Sequence, residues 1–139
     1  MTSGVVRWGR AGAGYDLVVT ALFATPWTAR AVFGTMRDVH EGLGLAGAPP
    51  PVPDPTTLLM VSLFGVVVCM WSIARWLRPE PVLIGMDALG RLVFGAWFLW
   101  ALAQGESRVL VGFLVLELVW ALAQGSAMLT QYGRVRAHR

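Results

Sequence analysis

Residues 57–76 read TLLMVSLFGVVVCMWSIARW, and Arg75 is the one charge in the run. A helix needs about 20 predominantly apolar residues to cross the hydrocarbon of a bilayer. This stretch meets that requirement alone. Downstream, residues 82–103 read VLIGMDALGRLVFGAWFLWALA and qualify despite Asp87 and Arg91. Residues 109–129 form another apolar run, with Glu117 its one charge. Upstream, residues 17–36 are weaker, carrying Thr20, Thr25, Pro26, Thr28, Arg30 and Thr35. A weakly apolar span needs neighbours to satisfy its polar groups, which places it inside the assembly. The expected fold is an all-α integral membrane four-helix antiparallel bundle, with spans at about 17–36, 57–76, 82–103 and 109–129. The chain reads as one four-span domain over 1–139. A cleaved signal peptide, with Arg7 and Arg10 before a short apolar run at 17–24, is the weaker reading, because Pro26-Trp27 and Arg30 follow at once.

Composition agrees. Of 139 residues, 56% are hydrophobic and 14% charged, and the mean hydropathy is +0.62. A soluble domain carries about a quarter charged residues, so that class is excluded, and disorder with it. Cys69 stands alone, which excludes a disulfide framework and a dithiol mechanism; it reads as packing. The net charge is +3, but every basic residue is Arg, they are spread along the chain, and seven of the eleven flank apolar runs on one side. That is a topology signal and not a nucleic-acid patch. No phosphate loop, zinc spacing or nucleophile elbow occurs. Arg37-Asp38-Val39-His40-Glu41 lacks the spacing of a metal site. No cofactor and no metal are expected.

The connections are unequal. Residues 37–56 form a long loop with prolines at 49, 50, 51, 53 and 55, extended and polyproline-like. Asp54-Pro55-Thr56-Thr57 is a helix start. Residues 78–81 and 104–108 are too short for anything but antiparallel returns. With the N-terminus inside, one side collects Arg7, Arg10, Arg75, Arg78, Arg134, Arg136 and Arg139, and the other only Arg37 and Arg108. The expectation is a plasma (inner) membrane protein with both termini cytoplasmic, the proline-rich loop outside, and residues 130–139 as a basic cytoplasmic tail. The hexapeptide WALAQG occurs at 100–105 and again at 120–125. Its flanks do not match, so it reads as convergence on a small-residue helix contact.

Polar side chains recur at helical spacing. They are Asp16, Thr20, Phe23, Trp27 and Arg30 on the first span, and Ser62, Gly65, Cys69, Ser72 and Trp76 on the second. On the third they are Asp87, Arg91, Phe94 and Phe98, and on the fourth Glu117, Trp120, Gln124 and Gln131. At ~1.5 Å per residue, Asp87 and Arg91 lie ~8 and ~14 Å from the inner ends of their helices, Glu117 ~18 Å and Arg30 ~20 Å. Asp87 therefore pairs with Arg91 along one helix, Arg30 pairs with Glu117 across helices, and Asp16 sits near the inner interface. Ionisable residues in a membrane mark a site by default. Buried ion pairs can equally fix helix register, and tryptophans can be interfacial belts or ordinary packing.

The layout resembles the DoxX-like group of small four-helix membrane proteins, and more distantly the EXPERA-type sterol isomerase fold. A first span is set apart by a longer outer loop, and three spans follow on short turns. Arg78-Pro79 with Asp87, Arg91 and Glu117 looks like a constellation found in bacterial proteins of this size. The resemblance is architectural and carries over no catalytic residue. It implies an apolar site in which an acid beside tryptophans handles carbocation-like chemistry. Glu117 and Asp87 are the expected acids; Arg30, Arg91, Trp27, Trp120 and Gln124 are the expected substrate-binding residues. The expected ligand is a lipophilic small molecule and the expected activity isomerisation or cyclisation of a terpenoid or sterol-like substrate. The alternative is a non-catalytic subunit or assembly factor, whose partners would be another membrane protein or further copies of itself. The lipid bilayer is a partner in both readings and nucleic acid in neither.

Overall fold

Asp54 starts its helix as expected: its carboxylate accepts the Thr57 amide at 2.8 Å, and Pro55 occupies the first helical position, where no amide is needed. That hydrogen bond holds the Asp54 carboxyl below the usual aspartate range. The structure, a computed structural model, describes residues 3–137 and consists of five helices. They are α1 (Ser3–Ala21), α2 (Pro26–Gly42), α3 (Pro55–Leu77), α4 (Pro81–Ala103) and α5 (Leu110–Ala137). The expected spans at 57–76, 82–103 and 109–129 correspond to α3, α4 and the first part of α5. Among the described residues, α3, α4 and residues 110–130 of α5 are long and apolar enough to cross a membrane, and only 22%, 17% and 17% of those segments is buried within the protein. Their outward faces carry Phe64, Val67, Leu77, Val82, Leu89 and Leu122, all well exposed. Such a continuous apolar coat suits lipid and not water.

The single helix expected at 17–36 does not form. The chain instead makes two helices, α1 and α2, bent by 92° at residues 22–25. The break has a local cause. Phe23 and Ala24 donate to the carbonyls of Thr20 and Ala21, winding the last turn of α1 into a 3₁₀ turn. Thr25 then caps α2 by accepting the Thr28 amide at 3.2 Å, and Pro26 takes the first helical position. Thr25-Pro26 is thus a helix start inside a run that reads as one apolar span. The long loop is correspondingly shorter than 37–56, because residues 37–42 complete α2. The tail at 130–139 is also helical as far as Ala137. The side chains of Gln131, Arg134, Arg136 and Arg139 lie outside the described residues.

Packing divides the helices into two pairs. α1 lies antiparallel along α3, and α4 lies antiparallel along α5; α1 also packs on α5, and α2 on α3. Glycines permit the close approach of α1. A Cβ at Gly9 would meet the Ile84 side chain at 2.5 Å, and one at Gly14 the Trp76 ring at 2.8 Å; Gly12 abuts the Gln124 amide. The backbones of α3 and α4, although joined by a three-residue turn, stay apart, and the two helices meet through long side chains such as Arg75 and Trp71 reaching Asp87.

At the opposite end the proline-rich loop is strapped to the α4–α5 turn. Ala48 N donates to Gly105 O at 2.8 Å, and Arg108 N to Ala46 O at 3.0 Å. Gly47 has φ +98°, and a Cβ there would collide with the Glu106 carbonyl oxygen. Arg37 donates twice to Pro50 O, at 3.1 and 2.7 Å. Buried His40 shares a 2.7 Å hydrogen bond with buried Ser107, and Ser107 Oγ also accepts the Val109 amide near the start of α5. Ser107→Ala strands a buried imidazole nitrogen and is expected to destabilise the protein by about 1–3 kcal/mol. Amide exchange at Ala48 and Arg108 should accelerate in that variant; unchanged exchange would show that the strap is held by its backbone bonds alone.

Candidate functional site

Four helices deliver five charged side chains to one place. The i, i+4 spacing on α4 sets Asp87 and Arg91 on one face, and Arg91 Nε lies 3.2 Å from Asp87 Oδ2. α5 supplies Glu117, whose Oε2 accepts from Arg91 Nη1 at 3.0 Å. The glycine face of α1 brings Asp16 in, where it accepts from Arg91 Nη2 at 2.6 Å. From α3, Arg75 ion-pairs with Asp16 and lies 2.5 Å from Asp87 Oδ2. Two guanidinium groups thus stand between three carboxylates. Arg75 is wholly buried and Arg91 nearly so. Moving one ion from water into a protein interior costs several kcal/mol, which is offset only when the partners are close and further hydrogen bonds are made. Each arginine also lies against aromatic rings: Arg75 over Trp71 at 5.8 Å, and Arg91 over Tyr15 at 6.0 Å and Trp120 at 5.8 Å.

The separation of α3 from α4 leaves a cleft of about 370 Å³ whose floor is this cluster. Asp16 and Thr20 of α1, Asp87 and Arg91 of α4 and Glu117 of α5 form the polar part. Val67 and Trp71 of α3, and Met86, Gly90 and Phe94 of α4, form the walls. Val67, Met86 and Phe94 are 61%, 57% and 51% exposed, so the mouth opens sideways, on the apolar flank of the helices. Trp71 Nε1 donates to Asp87 Oδ1 at 3.4 Å and ties the wall to the floor.

The structure brings together Glu117, Asp87 and Arg91 of the expected site. Trp120 lies behind Arg91, packed against Tyr15 at 5.2 Å and Trp8 at 6.2 Å, and does not line the cleft. Gln124 is fully buried beside Gly12, and neither of its amide atoms has a hydrogen-bond partner among the described residues. Arg30 and Trp27 stand elsewhere. Both are exposed on α2, Trp27 by 80%. The expected Arg30–Glu117 pair is not formed, because the bend at 22–25 turns α2 away from the axis of α1. Asp16 is buried within the protein and doubly paired. Arg75 belongs to the cluster and not to the flanking charges. Trp71 takes the wall position expected of Trp27. The readable signal for Asp16 is the run of Gly9, Gly12 and Gly14 before it, which marks that segment as a closely packed helix.

Compared with protein-family profiles, with curated proteins and with solved structures, the chain finds no match in any of the three.

Proposed function

We propose that the cleft between α3 and α4 binds a lipophilic small molecule that enters sideways from the surrounding lipid. The observation that carries this reading is the combination in one cavity of an exposed apolar mouth and a buried charged floor. Ligand pockets are mostly apolar with a few fixed polar groups, and this volume falls in their usual range of roughly 300–1,000 Å³. The protein sits in the inner membrane with both termini cytoplasmic: with Arg75 assigned to the cluster, six flanking arginines still stand against Arg37 and Arg108. The four-span bundle is completed by counting bent α1–α2 as one broken span.

The resemblance to DoxX-like and EXPERA-type proteins supports a lipophile site and suggests an acid within it. Asp87 has both oxygens engaged, so Glu117 is the group with a free oxygen for proton transfer in an isomerase or cyclase. Its other oxygen is held by Arg91 at 3.0 Å, and among the described residues no second free acid or base stands beside it in the cleft, so binding is the reading adopted over turnover.

Native mass spectrometry of the protein, gently extracted from its own membrane, tests this. A bound non-phospholipid mass is expected, and it is expected to vanish in Gly90→Trp. A Cβ at Gly90 meets nothing within 4 Å, so this side chain grows into the cleft without moving the backbone. A stoichiometric protein partner with no small ligand would instead make the chain a subunit of a larger complex, with the charges as structural pairs.

A further inference from the structure

With every group in its ionised form, the floor of the cleft carries one formal negative charge more than it can match. Among the described residues two guanidinium groups face three carboxylates. The excess is localised. Both oxygens of Asp16 accept from arginine, and both oxygens of Asp87 are engaged by Trp71, Arg75 and Arg91. Glu117 has one partner, Arg91 on Oε2. Its Oε1 has none among the described residues, and its side chain is the most open of the three, at 18% against 11% and 9%. It lines the cleft.

We infer that the ligand of this cleft is a lipophilic cation, an amphiphile whose protonated amine head pairs with Glu117 while its apolar body lies between Val67, Met86 and Phe94. This rests on the proposed lipophile site and narrows its ligand class. Three observations select the charge. An anionic head finds no free guanidinium in the cleft lining: Arg75 has a buried Nε without a hydrogen-bond partner among the described residues but does not reach the cleft, and Arg91 is spent on three carboxylates. A neutral head leaves the extra charge unmatched in surroundings where it is poorly solvated. An ammonium head supplies the missing positive charge and donates a charge-assisted hydrogen bond to the open Oε1. Trp71 lines the cleft beside the floor and adds an aromatic wall near the same head.

The test uses the full chain in phosphatidylcholine nanodiscs and three photoreactive probes with one diazirine-bearing alkyl chain: a primary amine, an alcohol and a carboxylic acid. Labelling is mapped by mass spectrometry with and without excess unlabelled alkylamine. The expected result is competed labelling of Val67, Met86 or Phe94 by the amine, at least ~10-fold above the alcohol and the acid, and lost by a similar factor in Glu117→Gln. Glu117→Asp, which keeps the charge, should retain most of the preference and guards against loss of folding as the cause. Alcohol labelling equal to that of the amine, or amine labelling unchanged in Glu117→Gln, overturns the cation inference and leaves the lipophile site standing. Absence of competed labelling in the cleft by any probe overturns both.

Discussion

Arg91→Met is expected to destabilise the protein by about 3–5 kcal/mol, the cost of leaving buried charges without their partner. Among the described residues Arg91 is the side chain that ties most of the cluster together: it joins Asp16 of α1, Asp87 of its own helix and Glu117 of α5. Its removal leaves three carboxylates facing Arg75 alone. Methionine matches the aliphatic stem and fills most of the volume, so the loss reports charge and not packing. Reversible unfolding in mild detergent, followed by tryptophan fluorescence, measures it. Adding Asp16→Asn to Arg91→Met should recover part of the loss, because one of the stranded charges goes with it. A variant with unchanged stability would mean that the cluster is solvated and its ion pairs are weak.

Gly65→Leu is expected to have the second-largest effect. A Cβ at this position would lie 2.5 Å from the carbonyl carbon of Phe23, 2.6 Å from its oxygen and 2.7 Å from Ala24 N. All three are backbone atoms of the break between α1 and α2, and none can rotate aside. The glycine is what lets the broken segment lie flat on α3. Overpacking of this kind costs about 1–3 kcal/mol, and here it must also lever α1, and Asp16 with it, away from Arg75. Gly112→Ala is the natural control. Its Cβ meets nothing within 4 Å, so only helix propensity acts, and a gain of about 0.5–1 kcal/mol is expected. Equal tolerance at both positions would show that the break adapts freely.

Apolar length and turn chemistry make α3, α4 and the start of α5 readable almost to the residue, because both are local properties. The bend is harder to read, although its signal is also local. Thr25-Pro26-Trp27-Thr28 is a capped helix start, and the apolar run around it outweighs that signal. The cluster is half legible. Asp87 and Arg91 are neighbours on one helix, so spacing pairs them. Asp16 and Arg75 are 59 residues apart, and position relative to an apolar run assigns both to the membrane edge. Their burial comes from tertiary packing of the glycine face of α1, which no window of sequence contains. The two WALAQG copies make the same point. At 100–105 the hexapeptide ends a helix with Gly105 at φ +90°, whereas at 120–125 it continues through α5. Identical local preference yields to the residues downstream of it.

The seating of α1 between partners that come later in the chain has a consequence for biogenesis. Asp16 leaves the ribosome well before either of its counter-charges, which lie 59 and 75 residues behind it. For a chain delivered to lipid in order of synthesis, α1 is too polar to settle alone, and its companions α3 and α4 insert on their own apolar merits. The first helix made is therefore the last to be seated. It acts as a keystone whose arrival gives Asp16 its partners Arg75 and Arg91, locks the two helix pairs together and, in the same step, completes the floor of the cleft. Quality control that senses unpaired intramembrane charge would see Asp16 until that moment, since Arg75 and Arg91 already have Asp87 and Glu117. Full-length chains lacking a seated α1 should then be the species cleared from the membrane.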